Sequence, residues 1–399
     1  MQRVWIVVLA GCGFESNAGV SDAGSSPGTP TGDGDGASSD AADGSDAIAD
    51  ASAAPPPCVS TTHAVFAGIA CAIATQPPLT VMQSSQIDTD SIAPNAAGLR
   101  CAALTVNSAS VCAIAADAIA IPSGVVITAH GSRPLALLAH SIDIEGTIDV
   151  ASHLGRAPGA ASEMQGCQTN VRAVGSGGGQ GGTFNADPGG PGGDVPGTTD
   201  KGGSITPSTG IGIPRGGCPG GPSSDVTTAG NVARGGGAVW IAVDGDGVLT
   251  LGHAAIVNAS GAGGPRGEAT AGHRGGFGGG SGGLIVLQAA TLVVDANAQI
   301  FANGGGGGGG ADAANAPGDP GADPTGATGG ASGGAGAAAN PARGGAGFPA
   351  ASDERKGGDA SGATMGAGGG GGGAGVILTD VGVTMGIGTF SPSPTDLRR

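Results

Sequence analysis

Asp143, Glu145 and Asp149 fall within one short stretch, with His140 before them and His153 after. Carboxylates at a set separation are what glycosidic cleavage needs, one as acid and one as base or nucleophile, and the same groups can hold a calcium ion. Ile142 and Ile144 alternate with Asp143 and Glu145, and Ile148 and Val150 flank Asp149. On extended backbone all three acids would point away from the apolar side and could share one outer face. A solvated strand face is the plainer and stronger reading of the same pattern. The equivalent positions of the later repeats are mainly apolar or Thr, so no acidic stripe continues, and Trp240 is the only Trp in the repeating part.

The other reactive side chains form no constellation. The six His, at 63, 130, 140, 153, 253 and 273, include no HExxH pair. No CxxC occurs, and no His lies at ligand-like spacing from two Cys. GGGSGG at 278–283 sits inside a Gly tract rather than at a strand-to-helix elbow. GxGxxG strings recur by composition alone and lack the strand, helix and acid of a dinucleotide site. DGDG at 33–36 and 244–247 lacks the later bidentate acid of a calcium loop and reads as a turn. The expectation is no catalytic, cofactor or metal site, with Asp143, Glu145 and Asp149 the candidates that remain.

The elements that would position these residues recur along the chain. PLALLAHSIDIEGTIDVAS (134–152), AVWIAVDGDGVLTLGHAAIVNAS (238–260) and GLIVLQAATLVVDANAQIFAN (283–303) each read as three short strands joined by brief links. A partial copy lies at 374–390 and an entry turn of the same kind at 115–132. Three short strands in about 20 residues match one coil of a parallel β-solenoid, in which a coil buries its apolar face only against its neighbours. A β-sandwich is the alternative, disfavoured because Asn-Gly hairpins are missing between the strands of a copy. Between the copies lie Gly-rich insertions, 153–234, 261–282 and 304–373. Flexible coil is the default for them, and packed polyproline-II strands are possible because Gly permits close backbone approach.

Composition agrees with a thin aliphatic core. Of 399 residues 87 are Gly, Tyr is absent, and Phe and Trp together number nine. The formal charge is −16, with eight acids and no Lys or Arg between Gly13 and Pro57. Phosphate contacts need a basic surface, so nucleic acid is excluded as a partner, and anionic lipid would repel the chain. Attachment to a membrane must therefore be through a lipid.

The first residues supply such a route. Met1-Gln2-Arg3, the apolar Val4–Leu9 and the small Ala10-Gly11 follow the plan of a secretory signal, in a run too short to span a bilayer. Leu9-Ala10-Gly11-Cys12 resembles the bacterial lipobox, which implies a diacylglyceryl group on Cys12 and cleavage before it; Gly13 in place of Asp leans towards the outer membrane or cell surface. Residues 13–57 are Ser, Gly, Ala, Asp and Pro with hardly any large apolar side chain, the composition of a disordered acidic tether. Beyond Cys12 six Cys remain, and spacing invites Cys58–Cys71, Cys101–Cys112 and Cys167–Cys218 among 15 possible pairings. An exported location favours their oxidation.

Taken together, the lipobox, the acidic tether, Cys101 and Cys112, the Gly131–Leu135 run, TIDVAS at 147–152 and GGGSGG at 278–283 resemble large Gly-rich exported lipoproteins of myxobacteria, a family with no assigned activity. The expected organisation is a signal at 1–12, a tether at 13–57, a small Cys-containing region at 58–114, a β-solenoid with Gly-rich loops at 115–390 and a tail at 391–399. The expected function is a non-enzymatic, lipid-anchored surface protein with a structural, matrix-contact or adhesion role, extracellular polysaccharide being the candidate partner. The alternative is a β-helical polysaccharide lyase or hydrolase using the 143–149 acids; ice binding by packed Gly-rich helices is a third idea.

Overall fold

A computed structural model describes residues 77–397, apart from 107–108, 163–166, 168–172, 186, 204–214, 224–231, 269–273 and 315. Cys12, the tether and Cys58 and Cys71 lie outside the described residues. Within them the chain is all-β: seventeen strands and no helix.

The strands come in successive sets of three. β1 (Leu79–Thr80) and β2 (Ser85–Asp88) are followed by a hairpin of β3 (Ala102–Val106) and β4 (Ala109–Ala115). β4 begins the first full set with β5 (Ala118–Ile121) and β6 (Val126–His130); β7 (Leu135–Ala139), β8 (Ser141–Ile144) and β9 (Thr147–Asp149) form the next. β10 (Ala238–Val243), β11 (Val248–Leu251) and β12 (Ile256–Asn258) follow. In the last two sets the first two strands fuse, giving β13 (Leu284–Val294) with β14 (Gln299–Phe301), and β15 (Val376–Gly386) with β16 (Thr389–Ser391); β17 (Thr395–Asp396) closes the chain.

Each strand pairs in parallel with its counterpart in the neighbouring set. Ile119, Ile142, Leu249 and Leu292 are register partners in sequence, as are Ile127, Ile148, Val257 and Ile300. The outcome is an 11-stranded sheet, joined through the long β13, and a 6-stranded sheet of β2, β6, β9, β12, β14 and β16. Among the described strands, β3 and β4 form the one antiparallel pair. The aliphatic columns from both sheets form one core cluster. Each fully buried Ile or Leu contributes about 1.5–3 kcal/mol, so the stack needs no aromatics to cohere.

The boundary expected at 114/115 is crossed by strand pairing. β1 pairs with β5, β2 with β6 and β4 with β7, so residues from 79 onward belong to the same sheets. In the tail, Thr395 and Asp396 likewise pair with β15.

The described parts of the Gly-rich insertions are packed rather than loose. The amides of Gly305, Gly308 and Ala311 donate to the carbonyls of Gly280, Phe277 and Arg274. Those of Gly306 and Gly309 donate to Ala322 and Asp319, and those of Gly307 and Gly310 to Gly345 and Ala342. Every third residue thus faces the same neighbour, the three-residue turn of polyproline II, and one segment is bonded to three others. The 366–373 segment repeats this, with partners at 305–311, 176–182 and 355–358. The default of flexible coil fails here because Gly lets backbones approach until each amide finds a carbonyl, satisfying groups that coil would leave to water.

This layer covers one face of the larger sheet. β7 and β10 are buried at every residue, inner and outer faces alike. Their outer residues Ala136, Leu138, Trp240 and Ala242 pack with Phe184 and Ala161 of the first insertion. A sheet row covered on both sides reads as a continuous apolar run, which is why LALLA and AVWIAV lack the alternation of SIDI. Arg355, buried in the layer, bonds both carboxylate oxygens of Asp187 at 3.1 Å and the carbonyl of Pro188 at 2.8 Å, joining the first and third insertions.

Two disulfides stand among the described residues, Cys101–Cys112 across the β3–β4 hairpin and Cys167–Cys218 within the first insertion. Both are pairings the spacing invited.

Candidate functional site

Asp143 and Asp149 do not share a face. Asp143 lies on β8 of the larger sheet, exposed between the buried Ile142 and Ile144. Asp149 lies on β9 of the smaller sheet. Glu145 sits in the bend between them, and its carboxylate occupies the space over Gly252 that a Cβ there would fill. The short link at Glu145-Gly146 turns the chain from one sheet to the other, so strand parity, which governs residues on one strand, cannot align acids across it. His140 is not near this group in bonding terms: its Nδ1 lies 3.8 Å from Asp244 in the next set's turn.

Asp149 is instead the centre of a clamp. Its Oδ2 is 3.0 Å from His153 Nε2, and its Oδ1 accepts the Ala151 amide and the Asn258 side-chain amide, each at 3.1 Å. His153 Nδ1 faces Asp323 at 3.5 Å. Asp323 in turn accepts the amides of Gly263 at 2.7 Å and Leu154 at 3.1 Å. One imidazole thus ties the smaller sheet to the second and third insertions.

The electrostatics follow from this geometry. Hydrogen bonding to Asp149 first, then to Asp323, outweighs burial and pushes the His153 pKa up to about 9. For Asp323, burial works to raise the carboxyl, but the His153 ring and the Gly263 and Leu154 amides outweigh it and hold its pKa below the ordinary value. A general base in a Ser-His-Asp arrangement keeps one ring nitrogen free for a hydroxyl. Here both nitrogens face carboxylates, and the nearby Ser152 Oγ donates to the Gly235 carbonyl and accepts the Gly159 amide. The ring is held as an imidazolium through neutral pH and serves as a linking cation.

The pH dependence has a definite sign. Folding raises the His153 pKa from 6.5, so the stabilisation is fully present below pH 6.5 and is lost as pH rises through about 9. The side chain is 26% exposed, and solvent screening reduces the effect to about 1–2 kcal/mol. Urea midpoints between pH 6 and 9.5 should fall more steeply for the wild type than for His153→Gln, which keeps a donor but cannot titrate. Equal slopes would remove the clamp from the account.

Asp323, Asn258 and the amides that hold them carried no signal in sequence. Asp323 lies 169 residues from Leu154, inside a Gly-rich insertion where its neighbours read as linker. His153 was visible beside the acids, but its partner across the layer was not. Among the described residues no group of three or more His, Cys, Asp or Glu is placed to hold a metal ion. Beside the clamp, His153 and Leu154 border a cavity of about 540 Å³ formed with residues 232–234, Ala262, Pro265, Arg266, Glu268 and Pro320. Compared with known protein families, curated proteins and solved structures, the chain matches none.

Proposed function

We propose that this chain is a non-enzymatic surface lipoprotein, anchored through lipid on Cys12 and held off the outer membrane by the acidic 13–57 tether. Its folded part is read as a parallel β-solenoid with a glycine layer along one face, acting in envelope structure, matrix contact or adhesion. The observation that carries the reading is the investment in backbone packing. The insertions place glycines rather than reactive side chains against one another, bonded amide to carbonyl along several segments. A rigid body of this kind presents a surface. The Leu9–Cys12 tetrad and the resemblance to Gly-rich myxobacterial lipoproteins support the location, and the two disulfides favour an oxidising compartment.

The test is metabolic labelling with a clickable fatty acid, wild type against Cys12→Ala, followed by protease shaving of intact cells. Label that depends on Cys12, with the chain lost on shaving, is the expected result. Absence of label overturns the anchor, and label without shaving overturns the surface location. Turnover of a polysaccharide by the purified chain, lost in Asp143→Ala, would overturn the non-enzymatic role.

A further inference from the structure

We propose that the cavity beside His153 binds the carboxylate-bearing units of an acidic polysaccharide. Its lining concentrates positive charge in a strongly acidic protein. Among its described lining residues are three arginines, Arg156, Arg234 and Arg266, and one acid, Glu268. The whole chain has only 15 Lys and Arg against 31 Asp and Glu, so three arginines around one cavity are a local reversal of its charge.

Arg156 and Arg266 are placed to meet a ligand. Arg156 and Arg266 are exposed, and Arg234 is half-buried at the cavity wall. The side chains of Arg156 and Arg266 make no ion pair or hydrogen bond among the described residues, so their guanidinium donors remain for an incoming group. Asp149 and Asp323 lie close by in the fold, but both are turned onto His153 and onto amide donors. The clamp fixes the cavity's wall, because the His153–Arg156 turn is pinned at His153 and, through the Leu154 amide, at Asp323.

Shape and surface select among anions. A volume of about 540 Å³ lies in the range of small-molecule sites and exceeds what a lone inorganic ion fills. Pro158, Pro265, Pro320 and Leu154 supply apolar surface to the same lining. A pyranose ring offers C–H faces to such patches, and its planar carboxylate matches the bidentate fork of an arginine. Nucleic acid needs an extended basic surface, which a chain of net charge −16 does not offer around one cavity.

The choice of an extracellular polysaccharide rests on the surface-lipoprotein reading; the cation-lined cavity does not. The experiment is calorimetric titration of the purified full chain at 0.15 M salt with oligogalacturonate. Neutral oligosaccharide of equal length, inorganic phosphate and a single-stranded DNA oligonucleotide are titrated alongside. The expected result is binding of the uronate oligomer alone, weakened on the order of tenfold or more in the Arg156→Gln/Arg266→Gln double variant and again in Arg266→Glu. Both positions are exposed, so the urea midpoint should not move. No binding, equal binding of the neutral sugar, phosphate or DNA, or unchanged affinity in the variants overturns the proposal. Failure here alongside Cys12-dependent labelling sinks the cavity's role alone, while uronate binding without labelling sinks the location alone.

Discussion

Gly371→Ala should lower the stability of the folded chain by about 3 kcal/mol or more, the upper end of what overpacking costs, because the clash is between backbones. A Cβ built at Gly371 overlaps the carbonyl of Ala346 and crowds the Gly347 amide at 2.9 Å. Gly371 also donates its own amide to the Arg355 carbonyl at 2.8 Å, so it cannot move aside without breaking that bond. No side chain can rotate to make room. The control is Gly362→Ala in the same insertion, where the nearest atoms to a new Cβ belong to Met365 at 3.9 Å and the backbone has no positive φ. That substitution should be neutral or stabilising by about 0.4–1 kcal/mol, since alanine restricts the unfolded chain. Urea unfolding of the two variants separates a packed glycine layer from a coil. If Gly371→Ala unfolds at the wild-type midpoint, the layer is not packed as described.

Removing the Cys167–Cys218 bridge should cost about 2–4 kcal/mol, more than removing Cys101–Cys112. The reason is loop length: the first bridge closes 51 residues of sequence and the second 11. The entropy released to the unfolded chain grows with the logarithm of that length, a difference of about 1 kcal/mol between the two. The β3–β4 hairpin also holds Cys101 and Cys112 together through its own ladder, so their bridge adds less. Double Cys→Ser variants compared by urea midpoint test the ranking. A larger loss from the hairpin bridge would show that the first insertion is already held without its disulfide.

The contrast between the two layers explains what could be read in advance. The strands of SIDI and TID announce themselves because one face is buried and the other wet, and alternation at period two records that directly. LALLA and AVWIAV showed that strands existed but not that a second layer would cover their outer face. The glycine tracts were the hardest, since a residue with no side chain leaves no periodicity to read. Period three exists there, but only in which neighbour each amide addresses. The candidate site divided along the same line. Asp149 and His153 were legible as a local group, whereas Arg266 and Asp323 reach it from the later insertions and Arg234 from the far end of the first.

The parallel-rich, all-β character of the folded part and its aliphatic core were legible in local pattern, and spacing invited two of the cysteine pairings that the fold then selected. The tertiary structure decided the rest. It placed Asp143 and Asp149 on different sheets, packed the glycine segments into a bonded layer, and brought Asp323 and Arg266 from the later insertions to the neighbourhood of His153. These depend on which backbones approach one another in space, and a chain of glycines specifies that only through the hydrogen bonds its amides must complete.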